Sequence, residues 1–345
     1  MPSIAELSSP AVAQKLDSLS TRATDKPTLE AEIKTQSLIP LWNTGAPISA
    51  STPRSKQLPT VWHYADTKSL LLQAAKLVDA REAERRAVLM INPGRNESPF
   101  TLDTLLAAHQ LILPGERAVC HRHTPFAVRF LIEGARGYTA ISGRKMYMAP
   151  GDLIITPVWN WHDHGNDGSE NVIWLDGLNI PLFKPWPIDF TEHYAEEFGR
   201  DTHDSEVFPD DDELVAQMKF SWGDMQARLD AEPGEAAVCE YLLPGSGRSV
   251  STTIGAYAER VNAGKVSARR KETTNHVFQV HRGTGWTEVV NLDGSRKTLR
   301  WGPGDAFAIP SWHEFRNFAD ADEAVFLFFF SDKPMLTNLG FWREG

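Results

Sequence analysis

Cysteine is scarce in this chain of 345 residues. Cys120 and Cys239 are the only two, and they form no Cys-x-x-Cys pair. A disulfide framework is therefore not what holds the fold. With no signal-peptide pattern, two reduced thiols in a cytoplasmic protein are the expectation. Cys120 directly precedes His121, so in a strand it points to the opposite face and reads as a packing residue. No apolar run approaches the ~20 residues that a membrane-spanning helix needs. Positive charge is also short: 35 Lys and Arg stand against 45 Asp and Glu, for a net charge of −10. That excludes a nucleic-acid partner, which requires a basic face. It also means that an acidic ligand must be held by a local arginine or a metal, because the overall field repels it.

Glycine (24) and proline (22) are plentiful, and the strand-like runs are short, which indicates a loop-rich all-β architecture. The length corresponds to two domains at ~150 residues each. Residues 1–25 read as a tail, Leu29–Leu38 as a helix, 43–58 as a loop or arm, and Asp66 as the N-cap of a helix over Ser69–Val78. Strands are expected at Ala87–Ile91, at Leu105–Leu113 with Gln110 inside, and at Val172–Leu178 with Trp174 and Asp176 inside. A proline-rich linker follows at 181–189, then one helix at Glu213–Leu229, then a second β-rich block that ends in VFLFFF at Val325–Phe330. The divisions are an arm with helices (1–95), a first barrel (96–180), a linker with a helix (181–236), a second barrel (237–335) and a tail (336–345).

The second block repeats the first. Val277 to Gly285-Trp286 echoes Val128 to Gly137-Tyr138, and Gly302-Pro-Gly-Asp305, Pro310 and Trp312-His313 echo Pro150-Gly-Asp152, Pro157 and Trp161-His162. This alignment places Arg270 and Glu272 where the first block has His121 and His123. It leaves His313 opposite His162 as a hydrogen-bonded structural histidine. One metal per chain, in the first barrel, is the expectation.

The chemistry lies between residues 121 and 164. Residues i and i+2 of a strand share a face, so His121 and His123 aim their imidazoles at one point, and His162 and His164 form a second such pair. Imidazole is the commonest protein ligand for first-row metals.

Gly115 to His123 (G-x5-H-x-H) and Pro150-Gly-Asp152 to Asn166 resemble the cupin superfamily, and two such units resemble the bicupins. HRHTPFAVRFLIEG, PGDLIITPVWNWHDHGNDG and VIWLDGLNIPL resemble the gentisate 1,2-dioxygenase group, with its salicylate and 1-hydroxy-2-naphthoate relatives, from about Ile39 to Met335. The fold implied is an all-β bicupin of two double-stranded jelly-roll barrels.

The implied cofactor is one Fe(II) held by His121, His123 and His162, with O2 as co-substrate and a small aromatic 2-hydroxy acid as substrate. The resemblance further implies Arg129 as the carboxylate clamp, and His164 as a residue touching substrate or oxygen unless it is a fourth ligand. Gln110, Asp176 and Trp174 would line the pocket, and the assembly would be a homotetramer. An ordinary ion pair to Glu133 is the competing reading of Arg129. The glutamate that many cupins add falls at Ala127 or Val128, so that ligand is missing. Its absence disfavours decarboxylase or isomerase chemistry and leaves coordination positions for a chelating substrate and O2. The implied reaction is ring cleavage between the carboxyl-bearing and hydroxyl-bearing carbons, with gentisate first and a 5-substituted salicylate such as 5-nitrosalicylate second. Salicylate and 1-hydroxy-2-naphthoate are further options, and a non-catalytic bicupin that binds a small acid or sugar is the alternative from another class. Pro125-Phe126 replaces the polar pair that follows the ligands in relatives, and is expected to reshape the pocket near the ring's far edge.

Overall fold

The computed structural model describes residues 23–44, 52–53, 55–78, 86–94 and 99–345. Most of the tail expected at 1–25 and much of the arm at 43–58 lie outside them. The chain divides into two units, 1–54 and 55–345. The first carries the helix Lys26–Thr35 and a short 3-10 turn at Leu41–Asn43. This helix starts earlier than expected because Asp25 caps it, accepting the Thr28 N–H at 2.8 Å, and Pro27 suits its first turn.

The second unit is built of strands β1 (Thr60–Trp62), β2 (Arg86–Leu89), β3 (Leu106–Ile112), β4 (His121–His123), β5 (Ala127–Glu133), β6 (Gly137–Ile141) and β7 (Arg144–Tyr147). There follow β8 (Leu153–Thr156), β9 (His162–Asn166), β10 (Val172–Leu178), β11 (Thr191–His193), β12 (Glu206–Val207), β13 (Lys219–Phe220) and β14 (Ala236–Glu240). The chain continues through β15 (Gly255–Val261), β16 (His276–Arg282), β17 (Gly285–Val290), β18 (Arg296–Trp301), β19 (Ala306–Ile309), β20 (Glu314–Ala319) and β21 (Val325–Ser331). In the first barrel a sheet ordered β13-β8-β5-β10-β3-β2 faces one ordered β11-β4-β9-β6-β7-β12. In the second, β1-β19-β16-β21-β15-β14 faces β18-β17-β20. The all-β bicupin expected from the sequence is the observed fold.

Strands β3, β15 and β21 are buried along their whole length. One face of each of these central sheets lines its own barrel and the other packs on the opposite barrel. This double burial is why VIWLDGL and VFLFFF are nearly continuous apolar runs rather than alternating ones. Across the seam the Phe130 and Phe328 rings stack at 4.5 Å. Gly177 sits where a Cβ would lie 2.6 Å from the Phe330 ring and 2.8 Å from Val128, so only glycine lets the two sheets approach this closely.

The duplication reaches beyond the barrels. β1 joins β19 of the second barrel, and the helix after it, Tyr64–Leu77, leads into β2 of the first. β13 joins β8 of the first barrel, and the helix Trp222–Ala231 leads into β14 of the second. Each Pro-Gly-Asp aspartate anchors the arriving helix. Tyr64 N–H donates to Asp305 Oδ1 at 2.8 Å, and Trp222 N–H to Asp152 Oδ1 at 3.0 Å.

Two expectations are corrected by this arrangement. Asp66 lies inside the first turn of its helix, which begins at Tyr64 with His63 in the cap position. Glu213–Leu229 is not one helix: Glu213–Ala216 ends, β13 crosses to β8, and a new helix starts after the Ser221 cap. Strand pairing with the first barrel outweighs the helical propensity of that stretch.

Candidate functional site

β4 and β9 are antiparallel neighbours, with His121 directly opposite His162. His121, His123 and His162 are buried, and their ligand atoms all lie within 4.8 Å of one another. Each ring is oriented by the same device. Nδ1 lies 2.9 Å from the Val119 carbonyl in His121, 2.7 Å from that of Pro125 in His123, and 2.8 Å from that of Asn160 in His162. A carbonyl can only accept, so each Nδ1 carries the proton and each Nε2 keeps its lone pair for a metal. Burial, reinforced by the neighbouring His121 and His123, holds the His162 pKa well below the ordinary histidine value, which keeps that lone pair available. The residues present fit a three-histidine metal centre.

His164 is different. Its ring lies 5.3 Å from that of His162, but its Nδ1 is 2.7 Å from Arg129 Nη1 and 3.2 Å from Thr139 Oγ1. Arginine can only donate, so His164 Nδ1 accepts and the ring proton sits on Nε2. In that geometry His164 presents an N–H at Nε2, and it stands outside the group of three whose ligand atoms lie together.

Arg129, on β5, is 4% exposed. Its partner is Asp176, which lies across from it on β10: Nε is 2.8 Å and Nη2 2.7 Å from Asp176 Oδ1. Nη1 donates to Thr139 Oγ1 at 2.8 Å, and the guanidinium lies 4.8 Å from the Trp174 ring centre. Trp174 Nε1 in turn donates to Asp176 Oδ2 at 3.1 Å. The ion pair to Glu133 weighed from the sequence is not formed, because Glu133 pairs with Lys68 at 2.7 Å. Gln110 faces the same interior, opposite Trp174 on β3. The Pro125 carbonyl orients His123, and Phe126 is buried in the main hydrophobic cluster, its N–H bonded to Asn179.

Three residues of the site's surroundings were missed in the sequence. Thr139 lies opposite His164 across β6 and β9. Its signal was Gly137-Tyr-Thr139, repeated as Gly285-Trp-Thr287. Asp163 and His203 meet behind β9, on the side of Cys120. His203 Nδ1 is 2.8 Å from Asp163, and its Nε2 accepts the Gly143 N–H at 3.0 Å. Both ring nitrogens are thus committed, and burial pushes the Cys120 thiol up to about 12. This second cluster braces β9 against the turn at Gly143.

The second barrel corrects the alignment of its histidine. Val289 faces Phe315 as Ile141 faces His162, and Thr287 faces Asn317 as Thr139 faces His164. Trp312 N–H donates to the Glu272 carbonyl as Trp159 N–H does to His123, and both tryptophans have positive φ, 65° and 62°. Phe315 therefore occupies the His162 position, and His313 corresponds to Asn160, donating from Nδ1 to the Pro310 and Ser311 carbonyls. The remaining ligand positions hold Arg270 and Glu272. Arg270 is ion-paired with fully buried Glu259 and packs on the rings of Phe278, Phe315 and Phe329.

Residues 108–178 match the cupin-domain family. The chain is 31% identical to gentisate 1,2-dioxygenase 1 of Aquipseudomonas alcaligenes over 93% of its length and 98% of that protein. It is also 31% identical to the 5-aminosalicylate 1,2-dioxygenase of a Comamonas species, over 93% and 90%. The crystal structure of the salicylate 1,2-dioxygenase from Pseudoaminobacter salicylatoxidans, an adduct with gentisate, superposes with a TM-score of 0.81 at 29% identity, covering 95% of this chain and 96% of that one. A bicupin scaffold, a buried imidazole triad and relatives matched over nearly their whole lengths lead to one conclusion: the chain belongs to the gentisate and salicylate 1,2-dioxygenase family of ring-cleaving oxidoreductases.

Proposed function

We propose that this chain uses Fe(II) and O2 to cleave a 2-hydroxybenzoate between its carboxyl-bearing and hydroxyl-bearing carbons, with gentisate, giving maleylpyruvate, as the first substrate. The observation that carries this reading is the all-imidazole donor set beside the Arg129–His164 network. A ferrous ion on three neutral ligands would supply a centre with its full charge and open positions for a chelating acid and O2.

The protein's own part is to bind and orient. Arg129 and Asp176 together carry no net charge, so the pair directs a substrate carboxylate through its N–H groups rather than by bulk attraction. His164, with its proton on Nε2, donates a hydrogen bond to substrate or oxygen. Trp174 walls the ring, and Gln110 offers an amide to it. Thr139 and Asp176 hold Arg129 in place and limit its rotation, which supports an oriented rather than a loosely held substrate.

The equal identity to a gentisate and a 5-aminosalicylate enzyme favours a second substrate within the same class. Both compounds carry an electron-donating group at carbon 5, which enriches the ring for attack. A homotetramer belongs to the same reading, supported by the exposed Trp186, Ile188, Phe190 and Phe198, and sedimentation velocity tests it. An oxygen-electrode comparison on iron-loaded protein tests the substrate class. Gentisate and 5-aminosalicylate should turn over faster than salicylate, 5-nitrosalicylate and 1-hydroxy-2-naphthoate. Faster turnover of 5-nitrosalicylate would overturn the preference for a donor at carbon 5.

A further inference from the structure

Thr139 is fully buried and has a hydroxyl placed between the two groups that would meet substrate. Arg129 Nη1 donates to Thr139 Oγ1 at 2.8 Å, and Oγ1 is 3.2 Å from His164 Nδ1. Having accepted from the arginine, the hydroxyl directs its own O–H toward the imidazole. His164 Nδ1 therefore receives two donors, Thr139 and Arg129, and its proton is held on Nε2. In each of the three ligand histidines, by contrast, Nδ1 lies against a backbone carbonyl.

The duplicated barrel keeps the same device without the chemistry. Thr287 stands in the register of Thr139, opposite Asn317 instead of His164. Its Oγ1 accepts the Trp301 indole N–H at 2.9 Å and donates to Asn317 Oδ1 at 2.7 Å. In both barrels the threonine takes an N–H from one side and orients the polar group across β6–β9 or β17–β20. Arg129 and His164 have both been replaced there, by Phe278 and Asn317, yet the hydroxyl relay persists.

We infer that Thr139 is a positioning residue of the reaction, whose hydroxyl fixes the direction of Arg129 and, through that arginine's N–H, the tautomer of His164, and thereby the capture of the substrate carboxylate and phenol. The inference rests on the function proposed above. It assigns the role to the hydroxyl and not to the methyl group, so two substitutions separate it from packing. Thr139→Val keeps the shape and loses the hydroxyl; Thr139→Ser keeps the hydroxyl and loses the methyl.

The test has two readouts on full-length protein. The first is long-range 1H–15N correlation of 15N-histidine-labelled, zinc-loaded protein, which reads the tautomer of each ring. The second is anaerobic titration of the ferrous protein with gentisate. Wild type and Thr139→Ser should show His164 as the Nε2–H tautomer and bind gentisate within about twofold of each other. Thr139→Val should show mixed tautomers and bind at least tenfold more weakly, with metal content unchanged in all three. A packing role gives the reverse order, serine worse than valine, and overturns the inference, as does an unchanged tautomer in Thr139→Val. If wild type binds no 2-hydroxybenzoate, the proposed function fails, while the tautomer readout still decides the role of Thr139.

Discussion

At the residue scale, four buried histidines on two strands look alike in the sequence and are separated by what their Nδ1 atoms touch. Three donate to carbonyls two residues away in sequence, just outside their strands, and the fourth accepts from Arg129. The prediction that follows concerns metal content. His121→Ala, His123→Ala or His162→Ala should each drop iron, measured by mass spectrometry after dialysis, from one per chain to below about a tenth. His164→Ala should retain it, because an N–H donor is no ligand; loss of iron from His164→Ala would show that the tautomer is wrong. The strand parity of His121, His123, His162 and His164 was readable from i, i+2 spacing alone. The partner of Arg129 was not: Asp176 lies 47 positions away and meets it only because β5 and β10 are neighbours. Glu133, close in sequence, does not pair with Arg129; its side chain reaches Lys68 instead.

At the element scale, the repeated Pro-Gly-Asp turns showed two barrels in the sequence, but their docking role did not show. Asp152 and Asp305 anchor helices that arrive from far along the chain, so no local pattern marks them as caps. The repeat also misled in one place. Matching Trp312-His313 to Trp161-His162 by residue type put the histidine two positions out of register, since Trp312 corresponds to Trp159, the tryptophan that itself has positive φ. In correct register, Arg270 supplies a built-in cation where the first barrel has His121. Its removal leaves Glu259 buried without that cation, and breaking such a pair costs about 3–5 kcal/mol. Arg270→Ala should therefore lower the urea midpoint substantially while leaving iron content at one per chain. A variant as stable as wild type would mean that the pair contributes nothing to holding the second barrel.

At the scale of the whole molecule, burial sets how stability responds to acid. It lowers His109 and His281 to about 4 and His276 to about 3, against an ordinary 6.5. Between roughly pH 6.5 and 4 the unfolded chain takes up protons that the folded chain refuses, so the stability present above the unfolded pKa is lost as pH falls. Asp332 acts in the opposite sense. Burial raises it to about 6, and its contribution grows as pH falls below that value. The histidines that burial lowers, His162 and His313 included, outnumber the aspartates that it raises, Asp332 and Asp152, so the net slope is positive: the urea midpoint of metal-free protein, followed by tryptophan fluorescence, should fall steadily from pH 7 to pH 4. A flat or rising midpoint would contradict these burial effects.

No helix among the described residues is long and apolar enough to cross a membrane, and the chain carries a net charge of −10. An acidic substrate would therefore have to be drawn by the site itself, against the overall field. The most direct measurement is oxygen uptake by protein loaded with one ferrous ion per chain and supplied with gentisate. One O2 should be consumed per gentisate, with no hydrogen peroxide released. No uptake with gentisate or any other 2-hydroxybenzoate, at full iron occupancy, would contradict the proposed function.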